Sequence, residues 1–196
     1  VYLSMETGLD SVYAHDGKFV FKGSPDKPVF GHVYNNDFSV FLIPDSKEIH
    51  ITGDINVPDS ITVTGSPLTD RIHEVLKHLA GEKEKVFNAS GLEHDSILGE
   101  WKKEVVKVVS ENSDNIVGAL VLSNEAFQLS PDEMIEYIGL LSPEIQQNKI
   151  VQREKTWAEQ KKLTSEGNPY INIPLADADG VEKSLSDYEG EGKYVF

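Results

Sequence analysis

The chain has 196 residues, 39% of them apolar, with a formal net charge of −15 and no cysteine. That acidity has the wrong sign for gripping nucleic-acid phosphates or an anionic membrane surface, which both call for clustered Lys and Arg. Without a thiol the chain itself performs no disulfide exchange, ligates no metal through sulfur and closes no disulfide.

The length allows one large or two small domains. No run approaches the roughly 18 apolar residues of a membrane span, and no signal peptide is visible. The chain opens on Val1-Tyr2-Leu3, in mid-strand and without an initiator Met, so a missing leader says nothing about compartment.

Residues 1 to 65 alternate in the β manner. Val1-Tyr2-Leu3 reads as a strand remnant. Ser11-Val12-Tyr13-Ala14 and Lys18-Phe19-Val20-Phe21 flank His15-Asp16-Gly17, and an Asp-Gly pair between apolar runs predicts a hairpin. Val29 to Tyr34 is a further strand, Asn35-Asn36-Asp37 a turn, and Phe38 to Ile43 the return. After Pro44-Asp45-Ser46-Lys47, two period-2 segments follow, Glu48 to Thr52 and Ile61 to Thr64. Six or seven short strands at roughly 8–12-residue spacing predict an antiparallel sandwich or small barrel.

From Ser66 the period becomes helical. Ser66-Pro67, Ser130-Pro131 and Ser142-Pro143 each put an N-cap hydroxyl before a Pro at the first helical position. Ser130-Pro131-Asp132-Glu133 is a capping-box signature. Ile72, Val75, Leu76 and Leu79 form the buried stripe of a first helix. Trp101, Val105, Val108 and Val109 form that of a second, within Gly91 to Asn112. Ile116 to Phe127 is apolar almost throughout and predicts the most buried helix. Met134, Ile135, Tyr137, Ile138 and Leu141 mark a fourth. Lys149 to Leu163 has sparse apolar residues (Ile150, Val151, Trp157, Leu163) and reads as a solvent-exposed connector helix.

Candidate chemistry is thin. His73-Glu74-Val75-Leu76-Lys77-His78 resembles a zinc helix in composition, but its histidines are five apart, about 140° around a helix, where a shared face needs four. Two surface histidines on an amphipathic helix is the simpler reading. His94-Asp95 beside Ser90 and Ser96 offers triad residue types without a nucleophile elbow. Asp177 and Asp179 before Gly180 fit a turn better than a calcium loop, since no Glu follows at the twelfth position. Asn88-Ala89-Ser90 matches a glycosylation pattern, which means nothing if the source is bacterial. No phosphate-binding glycine loop occurs. Phe30, Tyr34, Phe38 and Phe41 are assigned mostly to the core, with a partner-binding face as the alternative.

The last thirty residues carry a resemblance. Gly167-Asn168-Pro169-Tyr170 leads through Leu175-Ala176-Asp177-Ala178-Asp179-Gly180 and Ser184-Leu185-Ser186-Asp187-Tyr188 to Lys193-Tyr194-Val195-Phe196: a turn, a short strand, a capped turn and the opening of a buried strand. This resembles the approach to the thioredoxin-like domain of TlpA/ResA-like thiol-disulfide oxidoreductases, with a longer loop at Glu189-Gly190-Glu191-Gly192 than the family's single Gly. Upstream, Asp16 to Gly23, Ile51-Thr52-Gly53-Asp54 and Val63-Thr64-Gly65-Ser66 resemble the β domain of unknown function that precedes the redox domain in some of those envelope proteins. The resemblance implies a redox Cys-x-x-Cys beyond Phe196, so Phe196 is expected to lie inside a longer polypeptide.

The expectation is therefore an α+β chain. It comprises an N-terminal antiparallel β-sandwich or small barrel (1–65), a helical spacer (66–166) and the first elements of a thioredoxin-like fold (167–196). No residue is assigned a catalytic, cofactor-binding or metal role, and no cofactor is expected. The resemblance implies an accessory role in an envelope or periplasmic oxidoreductase, anchored in the parent by lipid or signal. Its partners would be protein substrates or redox proteins, with a homodimer allowed and no nucleic acid or membrane insertion. Two other readings stand beside it: a β-sandwich binding module for protein or glycan, and a hydrolase using His73, His78 or His94.

Overall fold

A computed structural model describes residues 1–6, 8–23 and 29–190. The fold is α+β, an N-terminal antiparallel β region followed by helices. Strands β1 (Tyr2–Met5), β2 (Gly8–Ser11), β3 (Gly31–Tyr34) and β4 (Ser39–Leu42) form one sheet in the order β2-β1-β3-β4. Strands β5 (His50–Asp54) and β6 (Val57–Thr64) form a separate two-stranded ribbon. Residues of the ribbon, Ile49, Ile51, Ile61 and Val63, pack toward Val33, Phe38 and Leu42 of the sheet. The arrangement is thus a two-layer sandwich with open edges, and the described strands do not close into a barrel.

Local chemistry explains the turns. Asn35 Oδ1 accepts from the N–H groups of Asp37 and Phe38 at 2.8 and 2.9 Å and closes the β3–β4 hairpin. Asp16 and Gly17 take φ of 51° and 72°, the left-handed pair a tight primed turn needs, and His15 and Lys18 exchange both backbone hydrogen bonds across it. The turn is as expected, but its arms are not. Lys18 to Phe21 forms no strand; Phe19 and Phe21 instead turn half-buried into the β core. The strand expected at Ser11 to Ala14 lies earlier, at Gly8–Ser11, and only the backbone of Val12 still pairs, with Val1.

Two glycines of the N-terminal motif are required sterically. Gly53, at the irregular step in the β5–β6 ladder, has φ of 152°, and a Cβ there would lie 2.7 Å from Ile61 Cα. Gly65 has φ of 86°, and a Cβ would lie 2.7 Å from Glu48 O. The motif therefore marks where the ribbon kinks and where the chain leaves it.

The helices are α1 (Pro67–Asn88), α2 (Leu92–Glu111), α3 (Ile116–Glu125), α4 (Pro131–Ile138), α5 (Pro143–Gln146) and α6 (Lys149–Leu163). The hydroxyls of Ser66, Ser130 and Ser142 each accept from the backbone N–H three residues on, so all three Ser-Pro starts are real caps. Helix α3 buries seven of its ten residues, opens toward solvent only along Leu120, Ser123 and Asn124, and touches α1, α2, α4, α5 and α6, as a largely apolar helix must. At Ala126 the chain tightens into a 3-10 turn, and Phe127 is 94% exposed rather than part of the buried helix.

Helix α6 departs from its expectation. It packs against α3, α4 and α5, burying Val151, Glu154 and Ala158. Glu154 is accommodated because Ser123 Oγ donates to its Oε1 at 2.9 Å and Arg153 Nη2 at 2.6 Å, satisfying a charge that would otherwise be costly to bury. Only its last turn, Glu159 to Leu163, is wholly exposed.

Around the start of α1 the β region is hydrogen-bonded to the helices. Ser66 Oγ donates to Ile43 O at 2.7 Å, Ile43 N–H donates to Thr69 Oγ1 at 2.8 Å, and Asp45 Oδ2 accepts from Leu68 N–H at 2.8 Å. Ser66 and Thr69 are each 1% exposed. The cap of α1 is thereby also the clasp on the end of β4, and Ile43 sits in the helical core.

Residues 167–190 form a small self-bonded unit. Strands β7 (Leu175–Ala176) and β8 (Glu182–Lys183) pair antiparallel. Asp177 Oδ1 accepts from the N–H groups of Asp179 and Val181, so its carboxylate serves the turn. A 3-10 turn at Leu185–Tyr188 is closed by a capping box between Ser184 and Asp187. The expected strand at Lys193 to Phe196 lies outside the described residues.

Candidate functional site

The two faces of the four-stranded sheet differ in kind. Strand pairing sets Tyr2 opposite Tyr34 and His32 opposite Phe41, which places all four side chains on the outer face by the period of two. Their rings stack in a row. Tyr2 and Tyr34 are 5.5 Å apart, Tyr34 and His32 4.6 Å, His32 and Phe41 4.4 Å, and Phe41 and Phe30 5.0 Å, with interplanar angles of 13° to 27°. Ser39 Oγ lies 2.6 Å from His32 Nε2, fixing the central ring.

Phe30 packs against the helical core at one end of this row. At the other end Tyr2 is 45% exposed, and Phe41 within the row is 46% exposed. Of the four aromatics assigned mostly to the core, only Phe38 is buried; Phe30 and Tyr34 are half-buried and Phe41 exposed. Alternation alone fixes that Phe38 and Phe41 differ in face, but not which one points outward.

The inner face lines a groove. Between the sheet, the ribbon and the stretch Gly17 to Gly23 lies a cleft of about 1040 Å³. Its floor is apolar: Leu3, Phe21, Val33, Phe38, Ile51 and Ile61. Its rim carries Lys18, Lys22, Lys47, His50, Glu48 and Asp10, with His50 and Glu48 3.6 Å apart. Among the described residues of this cluster Val33, Phe38 and Leu42 are buried, while Leu3, Phe19, Phe21, Ile49, Ile51 and Ile61 stay partly open. Among the described residues, the side chains of the two layers leave this groove open.

The histidines singled out from sequence do not converge. His73 is exposed on α1. His78 Nε2 lies 3.1 Å from Glu104 Oε1 across the α1–α2 contact. The hydrogen bond from Lys107 holds Glu104 below its ordinary value of 4.5; desolvation opposes this, and His78 adds to the lowering. His94 lies 3.4 Å from Asp95, its sequence neighbour. Among the described residues no three His, Asp or Glu side chains are grouped to hold a metal ion. The hydrolase reading, which needed these histidines in one pocket with carboxylates, has no such pocket among them.

The other concentrated polar groups brace the helices. Lys83 Nζ donates to Glu125 at 2.6 Å and stands 5.6 Å above the Trp101 ring. Lys102 Nζ donates to Glu133 at 2.6 Å. Desolvation raises the pKa of Glu133, but hydrogen bonds from Lys102 and Ser130 outweigh it and leave the carboxyl below its ordinary value.

Residues 1–72 match the model of a family described as a domain of unknown function, DUF4369. The matched span covers both β layers and continues through Ser66 and Thr69 into α1, so it includes the buried clasp. No curated protein and no solved structure matches the chain. No helix among the described residues is long and apolar enough to cross a membrane.

Proposed function

We propose that this chain is the non-catalytic accessory portion of an envelope thiol-disulfide oxidoreductase. The β sandwich and helical layer hold a thioredoxin-like domain that begins within residues 167–196, and they position it or bind its protein partners. The observation that carries the reading is the state of residues 170–188. Tyr170, Ile171, Ile173, Leu175 and Val181 are 50%, 50%, 51%, 68% and 53% exposed, and no residue from 165 to 190 is buried. A self-bonded hairpin that shows this much apolar surface calls for a covering layer. The family match over residues 1–72 adds support, because a domain of unknown function at that position is what the resemblance implies.

Sulfur chemistry on this reading belongs to the parent. A thiolate at a helix N-terminus, with a second thiol three residues on, is the arrangement that exchanges disulfides. Sequencing the natural reading frame past codon 196 and assaying insulin reduction tests the proposal. The expected result is a Cys-x-x-Cys within about fifteen residues, the distance of one strand and a turn, with activity in the whole protein and none in residues 1–196. A frame without the cysteine pair, or reduction by the cysteine-free chain, overturns it.

The aromatic row favours a second reading, a binding module. Each inner ring already has a ring neighbour on either side, so the row offers edges and hydroxyls rather than open faces. That suits a protein surface better than a sugar ring, which seeks a free aromatic face.

A further inference from the structure

We infer that the groove inside the β sandwich binds a single-chain amphiphile with an anionic head, of the long-chain carboxylate class, taken up as a free monomer. The inference rests on the groove alone and does not depend on the oxidoreductase reading.

Three features converge. First, the volume of about 1040 Å³ is at the upper end of small-molecule sites. It lies where the inner faces of two layers would ordinarily interdigitate. Second, the floor offers carbon and no hydrogen-bonding side chains: Leu3, Phe21, Val33, Phe38, Ile51 and Ile61. The backbones of β1 and β3 are paired on both sides. Across β1 and β3 an extended peptide would find no free backbone partner, and it could pair only at the margins, along Phe19 to Gly23 or the open edge of the ribbon. A methylene chain needs no such partner, and each buried CH₂ favours binding by about 0.8 kcal/mol.

Third, the rim has a sign. The first 65 residues contain four basic side chains, Lys18, Lys22, Lys27 and Lys47. Three of them, Lys18, Lys22 and Lys47, line this groove, in a chain of net charge −15. Among the described residues none of those three is in an ion pair. Of the acids on the rim, Glu48 lies against His50 and Asp10 accepts from its neighbour's backbone N–H at 2.7 Å. Among the lining side chains three lysines face two carboxylates, a surplus of one positive charge at the mouth of an apolar trough, and a carboxylate head on an acyl tail complements both parts.

The test uses residues 1–196, laurate and dodecyltrimethylammonium, both below their micelle concentrations. Titration calorimetry is read together with methyl NMR of the isoleucines. The expected result is saturable binding of one laurate, with the cation of equal chain length bound at least about tenfold more weakly. Laurate should shift Ile49, Ile51 and Ile61, and leave Ile116, Ile138 and Ile145 of the helical core unmoved. The triple variant Lys18→Glu/Lys22→Glu/Lys47→Glu alters exposed side chains only, so it should fold as before and bind laurate at least about tenfold more weakly. Equal binding of both amphiphiles, shifts confined to the helical isoleucines, or undiminished binding by the triple variant each overturns the inference. So does flotation with phosphatidylglycerol vesicles in place of laurate binding, which would make the source a membrane. Saturation of the same isoleucines by an extended apolar peptide, with no laurate binding, would instead make the groove a protein site.

Discussion

The helical half and the β half of this molecule bury their apolar residues to very different extents. Around α3 the core closes completely: Leu79, Val105, Val109, Ile116, Val117 and Val121 are each 0% exposed. In the β half the cluster between sheet and ribbon buries only Val33, Phe38 and Leu42 among the described residues, and Leu3, Phe19, Phe21, Ile49, Ile51 and Ile61 packed against them stay partly open beside the groove. Stability therefore resides in the helices, while the sandwich, clasped to them through Ser66 and Thr69, keeps an interior surface free.

Truncation in the two cores is the sharpest way to break this comparison. Leu122→Ala should cost about 2–5 kcal/mol, because Leu122 is 1% exposed and its neighbours cannot collapse into the void. Leu3→Ala, at the half-open floor of the groove, should cost about 1 kcal/mol. Chemical denaturation followed by the fluorescence of Trp101 and Trp157 and by far-ultraviolet dichroism would read both. Equal losses would show that the sandwich is as well packed as the helices.

A smaller effect sharpens the β side. Gly53→Ala should cost about 1–3 kcal/mol, since it places a methyl 2.7 Å from the backbone of Ile61 at a positive φ. Melting with amide NMR of the ribbon would show local loss of β5–β6 pairing while α1 to α6 stay protected. Helices that melt together with the ribbon would deny the two halves their separate stabilities.

The smallest effect lies in the helical half and depends on pH. Glu133 has its pKa held below 4.5 in the folded chain. Its stabilising contribution is therefore fully present above that value and fades as pH falls through the lower folded pKa. Glu133→Gln should cost about 1 kcal/mol at neutral pH, and the difference from the parent should shrink toward zero in acid. Urea midpoints at several pH values would check it, and a gap that widens in acid would reverse the sign of the argument.

The sequence carried the helical half more clearly than the β half, for a physical reason. Helix starts are local: a hydroxyl, a Pro and an acid three residues on fix a cap within one turn, as at Ser130 and Glu133. The packing of α6 is not legible in the sequence because its buried face is Val151, Glu154 and Ala158, and neither a Glu nor an Ala signals burial without Ser123 and Arg153 beside it. Lys18 to Phe21 alternates like a strand yet has no ladder partner, since the pattern reports side-chain burial and not hydrogen bonding. The groove was not legible at all. It exists only in the spacing of two layers that no local pattern sets, although the lysines that rim it were in plain view.

The proposal that residues 170–188 are covered by a further layer in a longer parent polypeptide rests on their exposed apolar side chains. Amide hydrogen exchange tests it directly, in residues 1–196 and in the complete natural gene product. The account predicts fast exchange at Ile171, Ile173 and Val181 in the shorter chain and strong protection in the longer one, with α3 protected alike in both. Equal exchange of that hairpin in the two proteins would contradict it.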